Sequence, residues 1–229
     1  IDIAHEIIKR DLNIPWAFMG RADLSDEETL IELRKSGLTA VKYGMESGVQ
    51  KLVDNSEKNL NIKTAVENIL ITKRLGIKVH LTFTFGLPGE TKKTIQETIN
   101  LVKFLDPDSV QFSITTPFPG TKLYQIMEKE GNIVSHDWKD YDGNTKSVIK
   151  TNALSPEELK QAQDSAYKIW FDHKFLKQRY SQLSPLKLFH ECLRQHGLNY
   201  TIKKTINYVK DNRYLRYVKS KKKNKIVIE

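Results

Sequence analysis

Short apolar stretches alternate with helical stretches over most of this chain, and that alternation limits the fold more than any other feature. A helical spacing over residues 2–12 (Ile3, Ile7, Ile8, Leu12) precedes Ile14-Pro15-Trp16-Ala17-Phe18-Met19, which predicts a strand. Ser25-Asp26-Glu27-Glu28 reads as a capping box opening a helix that Gly37 closes. Thr39–Met45 predicts a second strand, and Asn61 opens a helix with Ile62, Ala65, Val66, Ile69 and Leu70 on one face. Lys78–Phe85 predicts a third strand, followed by a helix after Thr91 that carries Ile95, Ile99, Val102 and Leu105. Val110–Thr115 predicts a fourth, and Thr121–Lys129 a helix ended by Gly131. Strands separated by helices pair in parallel through right-handed crossovers. The fold class is therefore α/β, either a (βα) barrel or a doubly wound open sheet. No G-x-G-x-x-G follows a strand, which disfavours the dinucleotide-binding version.

Side chains alternate along a strand, so each strand divides into two faces. In the third strand Val79, Leu81, Phe83 and Phe85 oppose His80, Thr82 and Thr84. In the fourth, Val110, Phe112 and Ile114 oppose Gln111, Ser113 and Thr115, and in the second Val41, Tyr43 and Met45 oppose Lys42, Gly44 and Glu46. Parallel strands buried on both faces are usually apolar throughout. A polar face on three successive strands instead predicts a lumen that takes water, a cofactor or a substrate, because unpaired buried polar groups cost roughly 1–3 kcal/mol each. An antiparallel sheet with one solvated face is the bland alternative.

Three strand ends run straight into turns: Tyr43-Gly44-Met45-Glu46-Ser47-Gly48, Phe85-Gly86-Leu87-Pro88-Gly89-Glu90-Thr91 and Thr116-Pro117-Phe118-Pro119-Gly120-Thr121. Singly each is an ordinary turn; all three lie at the carboxyl ends of strands, where α/β folds bind ligands. Together and in this order they resemble the radical S-adenosylmethionine (SAM) superfamily, in particular the cobalamin-binding-type Fe–S oxidoreductases that include the anaerobic protoporphyrin ester cyclases. There the runs G-x-E-S-G, G-x-P-G-E-T and P-x-P-G-T end the fourth, fifth and sixth strands of a partial (βα)6 barrel. The segment Trp16…Gly20-Arg21-Ala22-Asp23 resembles the end of the third. The resemblance covers about residues 1–170.

The resemblance implies a partial (βα) TIM-like barrel over 1–135, a loop and closing helix over 136–173, and a basic helical extension over 174–229. It implies that Glu46 and Ser47 meet the ribose and amino-acid part of SAM and that Lys58 faces the SAM carboxylate. Thr84, Gly86, Gln111 and Thr115 would line the adenine side and the substrate cavity. It also implies a [4Fe–4S] cluster on C-x3-C-x2-C and a 5′-deoxyadenosyl radical from reductive cleavage of SAM, or radical methylation, with cobalamin a compatible further cofactor. The sequence departs from that pattern in having one cysteine, Cys192. It is therefore expected to be a later part of a longer enzyme whose missing N-terminal half brings the thiolates, and to be inactive alone. No catalytic residue and no metal ligand is assigned. Six histidines form no H-x-x-x-H, and neither a Walker loop nor a G-x-S-x-G elbow is present. His80 reads as a structural histidine.

Charge separates the chain into two parts. Residues 174–229 hold 15 Lys/Arg against 3 Asp/Glu, whereas residues 1–173 hold 22 against 25. Helical runs are predicted over 156–170, 185–196 and 201–219. The basic tail, with Tyr200, Tyr208, Tyr214 and Tyr217, fits either a helical appendage on a partner or a patch for single-stranded RNA, the former being favoured. The alternatives to a radical SAM enzyme are a non-catalytic module acting through that tail, and an unrelated barrel enzyme with a polar lumen for an acidic substrate. No apolar run reaches the roughly 18 residues of a membrane span, and no signal peptide opens the chain, so a cytoplasmic protein is expected.

Overall fold

The computed structural model describes residues 1–181 and 193, 194, 197, 198, 201 and 202. Cys192 and nearly all of the two helical runs predicted in the tail lie outside the described residues. The chain divides into two compact units, Ile1–His173 and Lys174–Glu229, and the description below concerns the first.

Helix α1 (Asp2–Lys9) leads to β1 (Trp16–Gly20), α2 (Glu27–Lys35), β2 (Leu38–Glu46), α3 (Gln50–Asn55), α4 (Ile62–Arg74), β3 (Lys78–Phe85), α5 (Lys92–Leu105), β4 (Ser109–Ile114), α6 (Lys122–Lys129) and α7 (Pro156–Ser181). The strands form one parallel sheet in the order β1-β2-β3-β4. Sequential order with right-handed crossovers carries every connecting helix to the same side, which is the winding of a barrel and not of a doubly wound sheet. Among the described residues the sheet does not close: it is four strands of such a wall.

The two-faced strands explain this arrangement. Tyr43, Phe83, Phe85 and Phe112 are at most 1% exposed and pack with Leu30, Ile69, Ile99 and Leu105 from the helices. The other face stays partly open, with Lys42, Gly44, His80, Thr82, Thr84, Gln111 and Ser113 all of intermediate exposure. The sheet is parallel, so the antiparallel alternative is excluded. Phe112 stacks against Phe83 and Phe85, with ring centroids 6.0 and 5.6 Å apart, and meets Tyr167 of α7 edge-on at 5.2 Å. The outer edge of β4 is blocked from the same helix: Phe112 N donates to the Tyr167 hydroxyl (3.0 Å), and Gln163 Nε2 donates to Phe112 O (2.8 Å).

Several local readings need correction. Asp26, not Ser25, caps α2: its carboxylate accepts from Thr29 N at 2.8 Å, while Ser25 Oγ donates back to Arg21 O. Helix α1 stops at Lys9, short of Leu12, because Asp11 and Asn13 adopt left-handed backbone at φ 50° and 49°. Beyond Trp170, α7 continues to Ser181, and the short α3 had no clear signal. The other caps follow the sequence: Asn61, Thr91 and Thr121 each accept from the third following amide, and Ser155 and Glu158 exchange bonds as a capping box.

Because Phe112 joins the sheet core to α7, Phe112→Ala is expected to destabilise this unit by about 3–5 kcal/mol. A urea titration followed by tryptophan fluorescence checks this; a loss under about 1 kcal/mol would mean that the stack is dispensable.

Candidate functional site

At the carboxyl end of β2 the ladder to β3 slips. Gly44 pairs with Thr82 and Glu46 with Phe83, so β2 carries one extra residue, a bulge. Glu46 takes φ 62°, a left-handed conformation unusual for a residue with a side chain. Its carboxylate accepts from Lys58 Nζ at 2.5 Å and, through the other oxygen, from the Thr84 hydroxyl at 2.9 Å. Lys58 Nζ also donates to Gly44 O at 2.9 Å. The side chains of Lys58 and Glu46 remain 24% and 27% exposed, so the pair is reachable from outside. A Cβ on Gly44 would stand 2.7 Å from Lys58 Nζ, so a side chain here would displace the end of the lysine from Glu46.

Lys58 comes from a loop in which Glu57 and Asn59 are both left-handed. Arg21, at the end of β1, holds that loop by donating to Lys58 O and Asn59 O, each at 2.7 Å. Asp23 takes a two-pronged bond from the same guanidinium and accepts from Asn61 N. Burial raises the Asp23 carboxyl, but the bonds from Arg21 and Asn61 outweigh it and hold the group below its usual range. The Arg21–Asp23 clasp thus positions Lys58, a role that the sequence alone does not assign to either residue.

The other predicted site residues lie apart from this cluster. Ser47 is fully buried and faces α5, where its hydroxyl meets Thr98 Oγ1 at 3.2 Å; Gly48 N donates to the same oxygen. Gly86 lies on the covered side, close to Ile149, Leu159 and Thr115. Its amide donates to Glu90, a residue that sequence reasoning passed over. Thr115 is 5% exposed, with its amide bonded to Phe85 O and its hydroxyl unpartnered. Gln111 is on the open face, with Oε1 3.4 Å from Lys42 Nζ and Nε2 donating to Ser113 Oγ at 3.0 Å.

Glu90 is 1% exposed, and one of its carboxylate oxygens has no partner. Burial pushes its pKa up to about 7, against the opposing pull of the Gly86 and Leu87 amides.

Residues 1–102 match the family described as the radical SAM superfamily. Residues 1–102 belong to the radical SAM superfamily. An anaerobic magnesium-protoporphyrin IX monomethyl ester cyclase from Rubrivivax gelatinosus is 31% identical over 176 residues, 76% of this chain and 31% of the cyclase. An uncharacterized methyltransferase from Pyrococcus horikoshii is 25% identical over 206 residues, 90% of this chain and 42% of that protein. The chain thus spans less than half the length of either relative. In fold it is similar to the radical SAM methyltransferase TsrM from Kitasatospora setae, solved with cobalamin and a [4Fe-4S] cluster, at a TM-score of 0.50 and 19% identity over 70% of this chain and 34% of TsrM.

The radical SAM segment includes the Arg21–Asp23 clasp, the Glu46–Lys58 pair and the Glu90 loop. The raised pKa of Glu90 has a consequence for stability. Its folded value lies above the unfolded one, so its contribution is complete below about pH 4.5 and is lost as pH rises through about 7, a change on the order of 3 kcal/mol. Glu90→Gln is expected to remove that dependence; an unchanged slope of unfolding free energy between pH 4.5 and 7 would assign it elsewhere.

Proposed function

We propose that this chain forms the SAM-binding wall of a radical SAM enzyme, with SAM lying across the carboxyl ends of β1–β4 at the Glu46–Lys58–Thr84 cluster. The convergence of an acid, a lysine and a hydroxyl at a bulged strand end carries this reading. SAM offers a zwitterionic amino acid and a ribose diol. The Glu46 carboxylate has lone pairs beyond those used by Lys58 and Thr84, and Lys58 has an N–H beyond those given to Glu46 and Gly44. Both are acceptor and donor capacity of the kind that those groups need. Gln111 lies on the open face nearby, while Ser47, Gly86 and Thr115 support the loops from behind.

The residues do not fit a cluster. No group of three or more His, Cys, Asp or Glu able to hold a metal exists among the described residues, and the whole sequence has one cysteine against the three thiolates that the family's motif supplies. The proposed enzyme therefore draws its cluster ligands, and any cobalamin, from polypeptide outside this sequence. When SAM is bound and receives one electron, it supplies a 5′-deoxyadenosyl radical and methionine, for hydrogen abstraction or radical methylation of a substrate. This chain's part is to bind SAM, fix its orientation and keep water from it. The proposal places the enzyme in the cytoplasm, where thiolates stay reduced; no described helix is long and apolar enough to cross a membrane.

Equilibrium dialysis with radiolabelled SAM tests the reading. Saturable binding is expected, weakened about tenfold or more by Glu46→Gln or Lys58→Met, each of which removes one charge-assisted bond worth roughly 1.5–3 kcal/mol. Unaltered affinity in both variants, with native circular dichroism, would place SAM elsewhere. Anaerobic reconstitution of the chain with iron and sulfide is expected to leave both substoichiometric. A stoichiometric [4Fe–4S] cluster per chain would overturn the assignment of its ligands.

A further inference from the structure

The open face of the sheet carries a cation that the SAM site does not use. Lys42 sits mid-strand on β2, in register with Met19 of β1 and His80 of β3. It has no ion-pair partner among the described residues; its polar contact is the Gln111 carbonyl oxygen at 3.4 Å, long for a lysine bond. Among the described strand residues the one carboxylate on this face, Glu46, is already held by Lys58 and Thr84. His80 is tied to Ser109 Oγ through Nδ1 at 2.7 Å and is held below its usual pKa, by burial first and by the charge of Lys42 second. The Glu46 and Lys58 charges cancel, so among the described strand residues this face is left with the positive charge of Lys42.

The neutral neighbours are oriented to go with it. The Gln111 amide lies with Oε1 toward Lys42 and with Nε2 donating to Ser113 Oγ at 3.0 Å. Ser113 then accepts from Gln111 and keeps its own hydroxyl proton for another group. Lys42 N–H groups and the Ser113 O–H are thus donors on one face, separated by the Gln111 side chain, with β1 beside them presenting only Ala17 and Met19. A charge inside a lumen is costly unless an opposite charge meets it.

We propose that Lys42, with Gln111 and Ser113, is the subsite for an anionic group of the substrate, a carboxylate or a phosphate. The subsite rests on the reading of this face as the lumen beneath bound SAM. Lysine acts as a point charge, so charge selects the ligand here and fork geometry does not.

The test is amine acetylation of the protein resolved by residue in a mass spectrometer, with inorganic pyrophosphate, glutarate or glycerol present. Lys42 modification is expected to slow about tenfold at an anion concentration near ten times its Kd, while exposed Lys129 is unaffected and glycerol does nothing. Protection by pyrophosphate alone assigns a phosphate, and by glutarate alone a carboxylate. Broadening of the pyrophosphate or glutarate NMR signal gives a second measure, expected to persist in Lys42→Arg and vanish in Lys42→Met. No protection, or equal slowing at Lys42 and Lys129, would overturn the subsite. SAM affinity measured on Lys42→Met is expected to match the unaltered protein. Its loss would show that Lys42 serves SAM instead, and absence of SAM binding in the unaltered protein would count against the SAM reading without touching the anion result.

Discussion

A parallel sheet wound in sequence order has its helices on one side, and the chemistry of this unit follows from what that leaves over. Burial against helices makes one face of each strand apolar, and Phe83 and Phe85 stack on Phe112, which meets Tyr167 of α7 edge-on. The opposite face is freed from holding the fold together. Lysine, histidine, glutamine, threonine and serine are tolerated there because they find partners along the sheet or stay within reach of solvent. Side chains that would weaken a core thus accumulate on one surface, beside the carboxyl ends of all four strands.

That surface was legible in the sequence, since period-2 alternation needs only the strand assignments. The strands, and the caps at Asn61, Thr91, Thr121 and Ser155, were also legible because each depends on residues a few positions apart. What escaped was set by local competition or by distance. Ser25 and Asp26 are both good caps, and the choice fell to Asp26 because Ser25 Oγ is engaged with Arg21 O. The bulge at β2 requires a left-handed Glu46, which no side-chain pattern announces. The Arg21–Lys58 contact spans 37 residues, joining the end of β1 to the loop that follows α3.

The candidate site was legible in part, for the same reason. Glu46 and Lys58 carry opposite charge twelve residues apart, and Thr84 shares the polar face with Gln111. Ser47 and Gly86 follow directly on strands, but a strand end turns away wherever the next loop needs it. Ser47 and Gly48 bring the loop against Thr98, where a Cβ on Gly48 would approach the helix backbone to 2.8 Å, so this pair is given over to packing.

Two loops with similar composition therefore put their acids to opposite use. In Gly44-Met45-Glu46-Ser47-Gly48 the bulge throws the carboxylate outward, where a lysine and a threonine hold it as a charged acceptor that still faces the opening. In Gly86-Leu87-Pro88-Gly89-Glu90 the turn, closed by Glu90 N to Leu87 O at 3.0 Å with Gly89 at φ 86°, folds the carboxylate inward onto the loop's own amides. Among the described residues no cation meets Glu90, so burial outweighs the amides and raises its affinity for the proton. The acid at the proposed ligand site is thus paired with a cation, while the buried one ties the neighbouring strand end down by accepting from the Gly86 amide. Holding both acids ionised well below pH 7 would require a second cation beside Glu90.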